Sequence, residues 1–539
     1  MLVSPRLSSD PTPRRIAFVP DLCRTVHARI IQAAPLSLVS HNRAAIGARG
    51  RRTRAGRPLE SVPMQTCVLR SLAWVLIAGC VAAVADEPGP KPPVRGATTK
   101  PNLEPGDVGQ TTVEPSNEDG ALPLAIRWWG QGCVSVETFW GFTIVIDPFP
   151  EKPEIGYPNP KLTADVVLVS HEHFDHNAVD TVAGEPVILR GLTDGGKDWA
   201  TIDCYLDRPP NQPRPAVFPA SDARARSPHA VRIRSIPTWH DASEGRERGR
   251  NSLFLIETDG VRILHCGDLG HTLTPEQIQS VGETDVLLVP VGGKYTIDAA
   301  AAIEVARQLS PRRYVWAIHF KAGAGTLPLA TADVFAEEAR KDGFLVRRVK
   351  GNAVAVTALP PGQKPPIGSP IVIVSDWRPL RPSEEIEKSL RSLRRDRKEL
   401  IDSLGKVSKR QLDWRPSDGT HTIRWNFEHT AARELGLFSQ VYHALDPEIP
   451  VINWNPAQMP PDFRPRHPDW DTPEMVRHIR RIGAFTERFS YLLADTPMTM
   501  RIEGTRFSME YLTNLILGHY ENHTAKAMKK FTLPDWPKE

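Results

Sequence analysis

His171-Glu172-His173-Phe174-Asp175-His176 places three imidazoles and one carboxylate, all good zinc donors, within six residues. The run Ala164-Asp165-Val166-Val167-Leu168-Val169-Ser170 leads into it and predicts a buried strand. A strand that delivers a donor cluster at its carboxyl end is how an open α/β sheet builds a metal site. A solvated polar loop could carry the same letters. With only 17 His in 539 residues, three in six positions stand above background.

Further donors recur at predicted strand ends. His240 closes 231–239, Asp268 follows 261–267, and His319 closes 314–318. Singly, a His or Asp in such a place caps a loop. Together with the first cluster they make seven donors, enough for two metal ions with a position left open for water.

In this order the donors resemble the metallo-β-lactamase superfamily over residues 123–358. The H-x-H-x-D-H core, the later His240, the pair Gly267-Asp268 and the final His319 carry the resemblance. The lactonase-like, UlaG-like branch is the most similar. Ile146-Asp147-Pro148-Phe149, Arg250-Asn251, Gly267-Asp268-Leu269-Gly270-His271 and the stretch from Pro290 to Asp298 point to it. The resemblance implies an αβ/βα sandwich. It assigns His171, His173 and His240 to one metal and Asp175, His176 and His319 to a second, with Asp268 bridging. It further implies hydrolysis of an ester, lactone, phosphodiester or amide by a metal-bound hydroxide that Asp175 and Asp268 orient. Zinc is expected, with manganese or iron compatible with the same donors. Related flavodiiron oxidoreductases carry Glu where His173 stands, so His173 favours hydrolysis. Gln131 departs from the His of many relatives, which touches substrate contacts but not the metal ligands. Glu172 should point away from the metals. Cys266, inside a predicted strand, reads as core and not as a nucleophile.

The formal net charge of +4 is uneven. Residues 1–63 hold eleven Arg, no Lys and three acids, so the remainder is mildly acidic and offers no general nucleic-acid surface. Met64 opens a second apparent start. A basic segment to Arg70, an apolar run over 72–85 and Ala83-Val84-Ala85 before Asp86 read as a bacterial signal peptide. The expectation is export, to the periplasm or beyond, with 1–63 as an over-extended start or a genuine Arg-rich extension. Ile77-Ala78-Gly79-Cys80 resembles a lipobox, which keeps a lipid anchor at Cys80 beside free export. Once cleaved, the segment leaves no transmembrane span. Cys133, Cys204 and Cys266 do not form a disulfide framework.

Residues 86–122 are rich in Pro, Gly, Thr and acids and read as a tether. Strands are predicted at 124–129, 134–138 and 143–146, a hairpin at 251–264 turning on Asp259-Gly260, and a helix at 298–309. A Pro-rich stretch, 359–366, predicts a linker over 359–382. Beyond it four helices are predicted: from Ser383 to Gly405, over 423–443, from Thr472-Pro473, and from Ser508 to about Lys530. The fold class is therefore α/β followed by an all-α four-helix bundle.

Residues 383–532 resemble the DinB-like bundle family through Trp425-Asn426-Phe427-Glu428-His429 and His519-Tyr520-Glu521-Asn522-His523. His519 and His523 share a helix face with Leu512, Leu515 and Ile516, which turns them inward. With His429 they form a candidate second site for a third metal, although buried histidines can also simply hydrogen-bond. Two other functions stay open: a metal-dependent thiol transferase working in the bundle, and a binding protein without turnover. A small-molecule substrate is expected. Its identity and the oligomeric state are not legible.

Overall fold

The computed structural model describes residues 122–207, 214–222, 229–360, 362–366, 368–417, 419–454, 463–502 and 507–538. The expected basic head, the signal segment with Cys80, and the tether up to residue 121 lie outside them.

The strands are β1 (Leu124–Gly130), β2 (Cys133–Glu137), β3 (Thr143–Ile146), β4 (Val166–Val169), β5 (Val187–Arg190), β6 (Leu192–Thr193), β7 (Asp198–Trp199), β8 (Asp203–Asp207), β9 (Ala216–Pro219), β10 (Val231–Trp239), β11 (Arg250–Thr258), β12 (Val261–His265), β13 (Val286–Pro290), β14 (Tyr314–Ile318), β15 (Leu345–Val349), β16 (Ala353–Val356) and β17 (Ile371–Ser375). The α-helices are α1 (Pro275–Val281), α2 (Ala299–Leu309), α3 (Ala332–Lys341), α4 (Glu384–Leu404), α5 (Lys409–Asp413), α6 (Ile423–Leu445), α7 (Thr472–Arg488) and α8 (Met509–Met528).

Two sheets face each other. One runs β16-β1-β2-β3-β4-β5, the other β15-β17-β14-β13-β12-β11-β10-β8-β9. Alternation along β1 sorts its side chains. Ile126 and Trp128 join Val136, Ile144 and Leu168 in the core shared with the second sheet. Ala125, on the other face, packs with the bundle. Helices α2 and α3 cover the second sheet through Ile303, Val305, Phe335 and Ala336. The hairpin β11–β12 turns where expected, with Asp259 and Gly260 both at positive φ (47° and 74°), as a two-residue hairpin loop demands.

Residues 359–382, expected as a linker, contain β17. It inserts between β14 and β15, parallel to both. The Pro-rich stretch is a crossover inside the sheet and not its end.

The four long helices start where the sequence places them, Ser383 and Ser508 as the expected first residues and Thr422 and Asp471 as caps that the sequence reading did not name. Ser383, Thr422, Asp471 and Ser508 each accept a backbone N–H two or three residues into the next helix. Their apolar stripes bury Leu390, Phe427, Ile482 and Ile516 in one core. That core extends to Ala125, Ala353 and Ala355 of β1 and β16, whose small side chains let the bundle lie directly on the sheet.

Candidate metal centre

β10, β12 and β14 point the same way, because β10 and β12 are both antiparallel to β11, and β12, β13 and β14 are parallel. Their carboxyl ends deliver His240, Asp268 and His319 to one edge. The loop after β4 brings His171, His173, Asp175 and His176 to it from the facing sheet. All seven predicted donors meet there.

They fall into two groups. His171, His173 and His240 converge. His171 Nε2 lies 3.1 Å from His173 Nδ1, which lies 3.2 Å from His240 Nε2. Donors on a tetrahedral zinc at about 2.0–2.1 Å sit roughly 3.3 Å apart. Asp175, His176 and His319 form the second group. Asp268 stands between the two. Its Oδ2 is 3.1 Å from His240 Nε2 and 3.8 Å from His171 Nε2, while its Oδ1 is 3.3 Å from His176 Nε2 and 3.4 Å from His319 Nε2.

The surrounding hydrogen bonds fix which nitrogens face inward. Ser170 Oγ donates to Asp147 Oδ2 at 2.6 Å, so it accepts from His171 Nδ1 at 2.9 Å. The same Asp147 oxygen takes His176 Nδ1 at 2.9 Å. Both imidazoles therefore carry their proton outside and turn Nε2 toward Asp268. A further potential grouping of Asp147 with His171 and His176 is thus a set of orienting contacts. Asn251 holds the bridge: its Oδ1 accepts the Asp268 N–H at 3.0 Å, and its amide donates to Thr238 Oγ1 and to the Cys266 carbonyl. Gly267 is at φ 53°, and a Cβ there would stand 2.4 Å from Asn251 Oδ1, so only glycine admits this contact. Asp241 pins the loop after His240 by accepting the N–H groups of Ser243, Gly245, Glu247 and Arg248. Burial opposes its charge, but the Ser243 hydroxyl and these N–H groups hold its carboxyl well below the usual range.

The donors fit metal ions. His176 Nε2, His319 Nε2 and Asp268 Oδ1 are buried without a hydrogen-bond partner among the described residues, an arrangement that costs free energy unless a cation is shared. Burial, with neighbouring imidazoles, depresses His171, His173 and His319, leaving them neutral as ligands must be. Burial also works against a charge on His176, but Asp268, Asp175 and Asp147 outweigh it and raise its pKa: the pocket attracts cations. Glu172 points away as expected, paired with Arg190 at 2.7 Å. Cys266 is fully buried, and burial pushes its thiol far up. Gln131 is buried with both side-chain amide atoms unpartnered among the described residues, and its backbone carbonyl accepts the His319 N–H at 2.9 Å. Asp147, Ser170 and Asp241 were not assigned roles from the sequence. Asp147 stood only in the segment Ile146-Asp147-Pro148-Phe149 that marks the branch resemblance.

In the bundle, His429, His519 and His523 also converge, their donor atoms within 4.8 Å of one another. His519 Nδ1 donates to the Leu515 carbonyl and His523 Nδ1 to Asn426 Oδ1, and neither Nε2 has a hydrogen-bond partner among the described residues. Burial lowers His519, and burial with His519 lowers His523 to about 3. Trp425 stacks between His421 and His429, with centroids 3.6 and 4.3 Å away.

Comparison with known proteins matches residues 125–319 to the Beta-lactamase superfamily domain and residues 344–527 to the DinB superfamily. A UPF0173 metal-dependent hydrolase of Thermococcus onnurineus is 30% identical over 223 residues, covering 41% of this chain and 90% of the relative. One of Archaeoglobus fulgidus is 27% identical over 255 residues, covering 44% and 97%. A crystal structure of a metallo-β-lactamase superfamily protein from Thermotoga maritima is 32% identical, covers 47% of this chain and 98% of its own, and superposes with a TM-score of 0.31. With its donors gathered at one sheet edge and its relatives matched almost end to end, the chain belongs to the metal-dependent hydrolases of the beta-lactamase superfamily, followed by a region that matches the DinB superfamily.

Proposed function

We propose that hydrolysis runs at a binuclear centre, with His171, His173 and His240 holding one divalent ion, Asp175, His176 and His319 the other, and Asp268 bridging. The split of Asp268 carries the reading, since each carboxylate oxygen faces a different imidazole group. Zinc suits the donors, and manganese and iron accept them too. When bound, such a pair lowers the pKa of a water to about 7 and polarises the substrate oxygen. The chain's own residues do the rest. Asp147 and Ser170 keep the imidazole protons outside the site. Asn251 aims Asp268. Asp175, half-buried at the mouth beside exposed His173 and Phe174, is the carboxylate placed to pass a proton to a leaving group. The substrate is a small ester, lactone, phosphodiester or amide.

The test uses the full chain. Asp268→Ala should lose metal, read by elemental analysis, and lose hydrolysis across a panel of those four classes, with the helical circular dichroism unchanged. Full activity in the variant refutes the reading. Export rests on residues 64–85 alone, and a peptide from 1–63 in the mature native protein would sink it.

The convergence of His429, His519 and His523 favours a second reading, a third metal in the bundle serving transfer to or from a small thiol. If thiol turnover persists after His519→Ala and His523→Ala, that reading fails.

A further inference from the structure

The three histidines of the bundle stand among cations. Arg433 lies four residues after His429 on α6, so the two share a face with their Cβ atoms about 5–6 Å apart. Helical side chains lean toward the N-terminus, which turns the Arg433 guanidinium back over the turn that carries His429. α6 and α8 pack side by side, and the Arg433 charge acts on both His519 and His523 of α8. The other charge acting on His519 is that of Lys526, again a cation.

Arg433 has no counter-charge. It makes no ion pair or hydrogen bond among the described residues, and its Nε is buried without a partner. Burial lowers its pKa, and no carboxylate raises it again. The adjacent acid, Glu434, is engaged by Arg397, Thr486 and Tyr520. The residue as a whole is half-buried, and Nε is its one sealed nitrogen, so the two terminal nitrogens stay within reach of a ligand.

The hydrolase centre is built differently, with Asp175 and Asp268 among its donors. A divalent ion on His429, His519 and His523 meets three neutral imidazoles and keeps its full charge, to which Arg433 adds one more. Three protein donors leave a fourth position open, and charge held away from bulk water requires a partner. An anion brought by the ligand meets both demands, because the guanidinium fork matches carboxylate and phosphate oxygens.

We propose, on the reading that His429, His519 and His523 hold a metal, that the bundle site takes a small carboxylate or phosphate ligand, one oxygen on the open metal position and another on the Arg433 guanidinium.

The test uses the full chain loaded with cobalt(II), whose visible absorption reports its ligands. The native protein is read against the double variant His519→Ala with His523→Ala, so that the difference spectrum belongs to the bundle. Elemental analysis should give the native protein one more ion than the double variant. Acetate or inorganic phosphate, at constant ionic strength, should shift the difference spectrum saturably, and acetamide, the uncharged counterpart of acetate, should not. Whichever anion binds more tightly names the head group. Arg433→Met should retain the extra ion but bind the anion about tenfold more weakly or worse. It should also melt at the same or a higher temperature, because a buried unpaired charge is gone. Arg433→Lys, which keeps the charge, should bind between the two. If the native protein holds no extra ion, the metal reading fails and the proposal with it. If the ion is present, the proposal alone is overturned by any of three results: neither anion shifts the spectrum, acetamide acts as the anions do, or Arg433→Met binds undiminished.

Discussion

Asp147 shows how much of the metal centre depends on a residue that is not itself a donor to the ions. One carboxylate oxygen takes both the Ser170 hydroxyl and His176 Nδ1, and the other takes the Ser170 N–H. Asp147→Asn keeps the shape but presents an amide that can no longer accept at every point. Loss of such an outer contact typically costs 10–100-fold in metal affinity. That loss is expected here in competition against a chelator of known affinity, with a smaller one for Ser170→Ala. Gly267→Ala should act on the same centre from the other side, by pushing Asn251 off the Asp268 N–H. Its measurable result is reduced metal content with little change in fold. Chelation of the native protein should lower its melting temperature, since an ion that binds only the folded state stabilises it. The seven donors were legible because they follow apolar runs, four in the loop after β4 and one each after β10, β12 and β14. Asp147 and Asp241 were not, because their partners are fixed by how the loops fold back, and no local pattern reports that.

The helices of the bundle are tied by one buried carboxylate. Glu434 on α6 pairs with Arg397 of α4 at 2.6 Å and accepts the Thr486 hydroxyl of α7 and the Tyr520 hydroxyl of α8, each at 2.6 Å. A Cβ at Gly483 would stand 2.5 Å from the Arg397 guanidinium, so a glycine in mid-helix makes room for the pair. Removing one partner of a buried ion pair typically costs about 3–5 kcal/mol. Glu434→Ala should destabilise the protein by that order in urea melts. The double variant Glu434→Leu with Arg397→Met should recover much of the loss, because no lone charge is left buried. The starts of the four long helices were readable to within a residue, two of them through Ser383 and Ser508, while the short α5 was not foreseen. The strands were uneven. Those that close on a donor stood out, while β5, β8 and β9 are short and only partly buried and carry little periodic signal. β17 has a clear apolar run, but the prolines before it placed the boundary too early. Its position between β14 and β15 is a matter of topology that no window of sequence encodes.

At the scale of the molecule, hydrolase sheet and bundle share a core and a set of charges. Arg127 of β1 reaches Glu137 and the Arg488 carbonyl of α7, and Arg313 reaches Glu448. Asp259, at the β11–β12 turn, lies within the field of Arg488. Burial raises its carboxyl to about 6, with Arg488 pulling the other way. Its folded pKa thus exceeds the unfolded value of about 3.9. The folded state holds the proton more tightly, and this residue's contribution to stability falls as pH rises from about 4 to about 6. Asp259→Asn should therefore gain on the native protein across that window, by roughly 3 kcal/mol at most, in melts at pH 4.5 and 7. No helix among the described residues is long and apolar enough to cross a membrane. The strand order has one more consequence, in time. β14, which carries His319 at its end, is synthesised before β17, the strand that lies along its outer edge. At roughly 5–20 residues per second a ribosome needs a few seconds to make the stretch between them. Through that interval the nascent sheet presents a bare, hydrogen-bonding edge beside a rim whose seven donors have all been made. The growing chain is then exposed to mispairing at that edge, before any helix of the bundle has been made.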